Sequence, residues 1–194
     1  RERVAVVGHS AGGHDALEAA NDDRIDAWVG LAPAIPFPAT EQGGVDGERA
    51  DGVDPGDFDL ESYLAATPPP DVSTLMILAD EDVRLPLPDR RLVFDWLDAP
   101  KRLAVLADTG HASFLIDCVG IQERGGSAIA EALGFDETSV ERRTLENGCL
   151  PSDAPAEAVR ATFDHLVVAQ LRESLGVEPA EATASLQPEY LDAT

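Results

Sequence analysis

The chain has 194 residues, of which 44% are hydrophobic, so it is long and apolar enough to bury the core of one domain. Its 37 acidic residues exceed its 14 basic ones, which gives a formal net charge of -23. A surface this acidic repels nucleic acids and anionic membranes, because binding to either depends on lysine and arginine. No apolar run approaches the roughly 18 residues that a membrane-spanning helix requires. We therefore expect neither a nucleic-acid partner nor a membrane span.

Lysine is almost absent, since Lys101 is the single example in the sequence. Repulsion among so many carboxylates opposes folding in dilute buffer, and molar salt screens it to a range of about 3 Å. In this respect the composition resembles that of haloarchaeal proteins and indicates adaptation to high salt. An ordinary acidic protein is the alternative.

The two cysteines, Cys118 and Cys149, lie far apart in the sequence. A disulfide between them would stabilise the fold by closing a long loop, and it would require an oxidising compartment. Two buried free thiols fit the sequence equally well. The sequence leaves these two states open.

Apolar runs and helical periodicities alternate along the chain, separated by turns rich in Gly, Pro and acidic residues. The predicted elements are a strand at 4–7, a helix at 11–21, a strand at 25–32, a short helix at 60–66, a strand at 75–79, a helix at 88–97, a strand at 102–106, a helix at 127–133 and a helix at 156–175. We interpret residues 1–176 as one domain with an irregular excursion at 33–72, and 177–194 as a C-terminal tail.

Strands that alternate with helices predict a parallel sheet with right-handed crossovers. The strand at 4–7 is among the most apolar, and such strands lie inside parallel sheets rather than at a raw edge. Its position suggests that neighbouring strands precede it in a longer protein. We therefore expect an α/β fold with a mostly parallel sheet, flanking helices and missing N-terminal strands.

A Gly-x-Ser-x-Gly motif, Gly8-His9-Ser10-Ala11-Gly12, joins the first strand to the first helix. A sharp strand-to-helix turn holds such a serine in a strained conformation, and small residues at Gly8 and Gly12 are expected to let the backbones approach. We expect Ser10 to be a nucleophile and the N–H of Ala11 to face the developing oxyanion. A tight turn that merely requires small residues is the alternative.

A serine hydroxyl needs a base to take its proton, and the chain has 4 histidines. His111 follows a predicted strand, and loops at the carboxyl ends of parallel strands are where such sheets place functional groups. His111 is therefore the favoured base. His9 lies inside the serine turn and is expected to point elsewhere, whereas His14 and His165 lie on predicted helices and are expected to be structural or solvated.

The base needs a carboxylate that fixes its tautomer and stabilises its charged form. Asp82 lies just after the predicted strand at 75–79, in the run Asp80-Glu81-Asp82. We favour Asp82 as the acid, with Asp80 as the second choice and Asp108 as a distant third. A solvated acidic turn is the alternative.

Three segments of the chain resemble α/β-hydrolases. They are Val-Val-Gly-His-Ser-Ala-Gly-Gly at 6–13, Leu-Met-Ile-Leu-Ala-Asp-Glu-Asp at 75–82 and Thr-Gly-His-Ala-Ser-Phe at 109–114. Ala79 stands where the family usually has glycine. The pattern of His111 followed by Phe114, Asp117 and Cys118 is most similar to the branch with dienelactone hydrolase-like, platelet-activating-factor acetylhydrolase-like and polyester-cleaving esterases.

The resemblance implies a triad of Ser10, Asp82 and His111 that cleaves carboxylic esters through an acyl-enzyme, without a metal or an organic cofactor. It also implies strands before the nucleophile and a second oxyanion N–H from an early loop, neither of which precedes Val4. The chain is therefore expected to correspond to the C-terminal half to two-thirds of a hydrolase, and this piece alone, which lacks one oxyanion donor, is expected to react poorly.

The excursion carries further candidates for function. Phe37 and Phe58 flank it and are expected to contact the substrate, whereas Trp28 and Trp96 are expected to lie in the core. Its acidic residues lack the spacing of a dedicated calcium loop, so solvation in salt is favoured over a metal site.

The main hypothesis is a hydrolase acting on a small-molecule ester. A peptidase or thioesterase with the same triad is the nearest alternative. A non-catalytic hydrolase scaffold that binds a partner is the alternative from another class. The natural ester, the oligomeric state and the compartment are left open.

The acidic composition predicts that stability depends on salt. Because counterions screen repulsion between the carboxylates, Tm should rise from dilute buffer to molar KCl. Thermal unfolding followed by circular dichroism at increasing KCl checks this expectation. A Tm that stays the same throughout would show that the charge balance is unrelated to salt.

Overall fold

Four strands form one parallel sheet in the computed structural model, which describes residues 2–35, 59–98, 100–115, 117–136 and 139–187. The strands are β1 (Val4–His9), β2 (Ile25–Leu31), β3 (Ser73–Ala79) and β4 (Lys101–Leu106). They lie in the order β1-β2-β3-β4, and each neighbouring pair is parallel. The predicted α/β class is confirmed, because the four strands are parallel and helices flank the sheet.

Helices connect and cover the strands. They are α1 (Ala11–Ala19), α2 (Leu60–Ala66), α3 (Leu87–Trp96), α4 (Cys118–Arg124), α5 (Gly126–Ala132), α6 (Val140–Glu146), α7 (Ala156–Ser174) and α8 (Pro179–Ser185). The predicted helices are present with small shifts of their ends, whereas α4, α6 and α8 were not predicted. Each of these has 7 residues, a length at which helical periodicity is weak, although α2 and α5 of the same length were predicted. None of the helices in the described part of the chain is long and apolar enough to cross a membrane.

Helices cover both faces of the sheet, so side chains alternate between two cores along each strand. In β3, Leu75 and Ile77 face the core under α7, whereas Met76 and Leu78 face the core under α1 and α3. These four side chains are at most 1% exposed. Burial on both faces explains why β3 is a continuous apolar run rather than an alternating one.

β1 lies at one edge of the described sheet, with β2 as its neighbour. The side chains of Val4 and Val7 are 40% and 45% exposed. The composition of β1 is that of an interior strand, but among the described strands it pairs with β2 alone, and its side chains remain partly exposed.

The predicted excursion and the predicted C-terminal tail have different outcomes. Residues 36–58, most of the predicted excursion, lie outside the described residues. In the predicted tail, α8 packs against α7, with Ala182 and Leu186 only 1% and 9% exposed. The described beginning of the predicted tail therefore contributes to the packed structure.

Cys118 and Cys149 form a disulfide, which selects one of the two states that the sequence left open. Cys118 is the first residue of α4, and Cys149 follows α6. Both side chains are buried, at 2% and 0% exposed. The bond therefore fixes the chain after α6 against the segment that follows β4.

Reduction of this disulfide should destabilise the fold. The bond spans a sequence separation of 31, and closing a loop of that length contributes about 3–4 kcal/mol in the chain-entropy model. Urea unfolding at constant KCl, with and without a reductant, measures the difference in the free energy of unfolding. The variant Cys118→Ala/Cys149→Ala should match the reduced protein and be insensitive to reductant. Equal stability of oxidised and reduced protein would contradict the expectation.

Candidate active site

Ser10 occupies the turn between β1 and α1 in a conformation that few residues adopt. Its φ is 54° and its ψ is -123°, a backbone state that costs on the order of 1–3 kcal/mol for a residue other than glycine. Hydrogen bonds hold the turn in place. The Ser10 N–H donates to the carbonyl of Leu31 at 3.0 Å, and the Ser10 carbonyl accepts from Gly13 at 2.9 Å and from Ala34 at 3.0 Å. The strained serine is thus fixed by β2 and by the first turn of α1.

Close approach between β1 and α1 requires glycine at two positions. A Cβ on Gly8 would lie 2.0 Å from the carbonyl oxygen of Gly12, and a Cβ on Gly13 would lie 2.9 Å from the Cα of Pro33. Gly12 was expected to be small for this reason, but a Cβ there would meet nothing within 4 Å. That expectation is wrong for Gly12, and the steric constraint falls on Gly8 and Gly13.

His111 bridges Ser10 and Asp82 through its two ring nitrogens. Its Nε2 lies 2.8 Å from Ser10 Oγ, and its Nδ1 lies 2.8 Å from Asp82 Oδ2. His111 is 4% exposed and Asp82 is 7% exposed, so the hydrogen bond between them is buried, whereas the one to Ser10 is half-buried. In the tautomer with the proton on Nδ1, the imidazole donates to the carboxylate, and Nε2 accepts the serine proton. This arrangement can activate a hydroxyl for nucleophilic attack.

Asp82 contacts His111, whereas the other two candidate acids, Asp80 and Asp108, do not. The second oxygen of Asp82, Oδ1, accepts the N–H groups of Arg84 and Leu85, each at 2.8 Å, which fixes the orientation of the carboxylate. Asp80 Oδ1 instead accepts the N–H of Thr109 at 3.2 Å and so links the loop after β3 to the loop after β4. Among the described residues, Asp82 is the one whose carboxylate lies against His111.

His9 contacts His111 rather than the hydroxyl of Ser10, in keeping with the expectation that it points elsewhere. Its Nε2–H donates to the backbone carbonyl of His111 at 3.1 Å, and the two ring centroids are 5.0 Å apart. Burial, and then the charge of His111, lowers the pKa of His9 to about 4. His9 is therefore neutral near neutral pH, and it packs against the back of the candidate base.

The other two histidines lie away from this cluster. His14 lies on α1, with its Nδ1 3.5 Å from the carboxylate of Asp15. His165 on α7 donates from Nε2 to the carbonyl of Ser185 at 2.9 Å, which ties α7 to the end of α8. Neither histidine is brought to Ser10.

Ala11 is the first residue of α1, and N–H groups in a first helical turn have no acceptor within the helix. Its N–H adjoins Ser10, and the positive end of the helix favours a negative charge at that place. The position therefore suits an oxyanion donor for chemistry at Ser10.

The predicted aromatic residues have different outcomes. Phe37 and Phe58 lie outside the described residues. Trp28 is fully buried and donates from Nε1 to the carbonyl of Gly13 at 3.2 Å, and Trp96 donates to the carbonyl of Thr67 at 2.8 Å. Both tryptophans pack in the core under α1 and α3. Within the described ranges, no group of three or more His, Cys, Asp or Glu side chains is placed to hold a metal ion.

Asn147 was not predicted, although its side chain contacts both loops that carry Asp82 and His111. The pair Asn147-Gly148 is a turn signal in the sequence. A turn signal does not say which loops an asparagine reaches across the fold, so the contact could not be derived from it.

No family model matches the chain, and no match to it was found among the curated proteins. Solved structures do resemble it, at low identity. A monoacylglycerol lipase from Paleococcus ferrophilus has 18% identity and a TM-score of 0.43, with 68% of each chain covered. The esterase domain of a Rhodothermus marinus protein has 18% identity and a TM-score of 0.41, with 55% of this chain and 50% of that chain covered.

An alpha-beta serine hydrolase homologue from Coxiella burnetii has 14% identity and a TM-score of 0.38, with 55% of this chain and 40% of that chain covered. The chain thus spans between 40% and 68% of the lengths of these three structures. Similarity at this level does not carry over an activity or a substrate.

The low pKa of His9 predicts a measurable pH dependence of stability. Because the pKa of His9 in the folded chain, about 4, lies below its ordinary value of 6.5, the unfolded chain binds more protons between these pH values. His9 therefore contributes fully to stability above pH 6.5, and this contribution is lost as the pH falls from 6.5 to about 4. His9→Gln keeps an N–H donor without titrating, so its Tm should fall less steeply with decreasing pH. Thermal unfolding of both proteins across this window, at one KCl concentration, compares the slopes, and parallel curves would contradict the assignment.

Proposed function

We propose that this chain provides the nucleophile, base and acid of a serine hydrolase that cleaves carboxylic esters. The observation that carries the proposal is the continuous set of hydrogen bonds from Ser10 Oγ through His111 to Asp82, with 2.8 Å at both steps. Its support is the strained position of Ser10 at the N-terminus of α1, which suits a nucleophile with an adjacent oxyanion donor.

In the proposed reaction, Ser10 Oγ attacks the carbonyl carbon of the ester while its proton passes to His111 Nε2. The negative charge that develops on the carbonyl oxygen is stabilised by the N–H of Ala11. Collapse of the tetrahedral intermediate breaks the bond to the alcohol, which leaves with the proton from His111. Water then attacks the acyl-Ser10 ester, with His111 again taking and returning a proton, and the free acid is released.

Asp82 acts on the reaction through His111 alone. Its carboxylate accepts the Nδ1–H and stabilises the positive imidazolium that exists in both tetrahedral steps. The N–H groups of Arg84 and Leu85 hold its other oxygen, so the carboxylate cannot rotate freely. No step requires a metal or an organic cofactor.

The finer features of the proposal come from the sequence. The residues after His111, including Cys118, favour the dienelactone hydrolase-like and related esterase branch, and the acidic composition favours function in high salt. A peptidase or thioesterase would use the same three residues. Parallel assays on an oxygen ester, a thioester and an anilide separate these substrate classes.

A fluorophosphonate probe tests the proposal directly, because it forms a covalent bond only with an activated serine. We expect the protein to be labelled at Ser10 in molar KCl, and Ser10→Ala to be unlabelled by intact mass and peptide mapping. Asp82→Asn should slow labelling by about 10⁴-fold, because the carboxylate no longer fixes the tautomer of His111.

Asp80→Asn is the matched control, since Asp80 lies on the same loop and contacts Thr109 rather than His111. It should be labelled at the rate of the unchanged protein. A folded protein that is not labelled at Ser10 would contradict the proposal and would favour a non-catalytic scaffold that binds a partner.

A further inference from the structure

Asn147 joins the loop that carries Asp82 to the loop that carries His111. Its Oδ1 accepts the N–H of His111 at 2.9 Å and the N–H of Val83 at 3.1 Å. Its Nδ2 donates to the carbonyl of Glu81 at 2.9 Å. One side chain therefore binds the backbone of His111 itself and the backbone on both sides of Asp82.

The backbone of Asn147 adds to this contact. Its carbonyl accepts the N–H of Ala112 at 2.8 Å, directly after His111, and its own N–H donates to the carbonyl of Arg143 in α6 at 3.0 Å. A Cβ on Gly110 would lie 2.4 Å from the side-chain nitrogen of Asn147, so the two loops pack without space between them. The position of Asn147 is thus coupled to the position of the candidate base.

The segment that contains Asn147 is itself fixed from the other side. Gly148 has a φ of 104°, a conformation suited to glycine, and its N–H donates to the carboxylate of Asp153 at 3.1 Å. The disulfide of Cys149 holds the next residue against α4. Asn147 is therefore anchored by contacts that do not involve the two loops it joins.

We infer that Asn147 is a positioning residue that sets the separation between Asp82 and His111. Its side-chain hydrogen bonds go to His111, Val83 and Glu81 and not to Ser10, so it acts through His111 and the acid loop. The loops after β3 and β4 are separate chain segments, and a displacement of about 1 Å between catalytic groups can cost about 100-fold in rate. This inference rests on the proposed serine hydrolase function.

Asn147→Leu removes the side-chain hydrogen bonds while it keeps the branched shape and the number of heavy atoms of the side chain. We expect it to slow fluorophosphonate labelling of Ser10 by about 10- to 100-fold. We also expect the far-downfield proton signal of the hydrogen bond between His111 Nδ1 and Asp82 to broaden or vanish from the one-dimensional NMR spectrum. Both readouts report the separation of Asp82 and His111 rather than global stability.

Gln122→Leu is the matched control for the loss of a half-buried amide. The side chain of Gln122 donates to the carbonyls of Leu150 and Ala154, at 2.9 Å and 3.1 Å, and accepts the N–H of Ala156 at 2.9 Å. It therefore holds a comparable set of backbone groups, in the segment from Cys149 to the start of α7, and none of these hydrogen bonds reaches the loops of Asp82 and His111. Gln122→Leu should lower Tm to a similar extent and leave both the labelling rate and the proton signal unchanged.

Asn147→Asp tests the contacts separately and replaces Asn147→Leu if that variant does not fold. It keeps an oxygen for the N–H groups of His111 and Val83, and it turns a second oxygen toward the carbonyl of Glu81. We expect its labelling rate to lie between those of Asn147→Leu and the unchanged protein. Gln122→Glu is its control and should label normally.

The outcomes separate the inference from the function on which it rests. Slow labelling and a lost proton signal in the Asn147 variants, with normal Gln122 controls, support the positioning role. An unchanged signal and rate in the Asn147 variants, or equal losses in the controls, would overturn it. If the protein without substitutions shows the proton signal but is not labelled at Ser10, the proposed function is wrong. The NMR comparison would still decide whether Asn147 sets the hydrogen bond between His111 and Asp82.

Discussion

The hydrogen bonds from the two ring nitrogens of His111 to Ser10 and Asp82 are the interaction on which the site depends. The three residues follow different strands, β1, β3 and β4, so their contact is a property of the sheet rather than of any one segment. Parallel pairing brings the carboxyl ends of these strands to one edge. The register places Leu31 beside Ile77 and Ala79 beside Leu106, which aligns the strand ends.

A second constraint is the fit of β1 against α1. The positive φ of Ser10 is unfavourable on its own, and it persists because neighbouring groups leave no relaxed alternative. Gly8 meets the carbonyl of Gly12, and Gly13 meets Pro33, so the turn is packed on both sides. The Ser10 carbonyl is bound by the N–H of Ala34. The orientation of the hydroxyl toward His111 thus follows from backbone packing.

Much of this arrangement follows from local sequence patterns. Each of the four strands contains an apolar run, so β1 to β4 were predictable from hydrophobicity. Ser10, Asp82 and His111 were proposed because each follows such a run. Of the five described helices with 7 residues, two were predicted and three were missed, since two helical turns carry little periodicity. The state of Cys118 and Cys149 depends on the distance between them in the fold, which their spacing in the sequence does not determine.

Contacts made by polar side chains across the fold were the least predictable. His9 was expected to point away from Ser10, but its hydrogen bond to the His111 carbonyl was not foreseen, because it arises from the approach of the loop after β4 to the turn after β1. Gly12 was expected to matter for packing, yet the direction of α1 places Gly13 at the contact. Asn147 reaches across two loops from a third segment. None of these contacts leaves a periodic or spacing signal, because each depends on tertiary geometry.

The central claim is that His111 and Asp82 act on Ser10 as one unit. The most direct test measures the rate at which Ser10 reacts with a fluorophosphonate in His111→Ala, Asp82→Ala and the double variant. If Asp82 acts only through His111, the double variant should react no more slowly than His111→Ala, because the effects of residues that act together are not additive. Separate losses that multiply in the double variant would contradict the account.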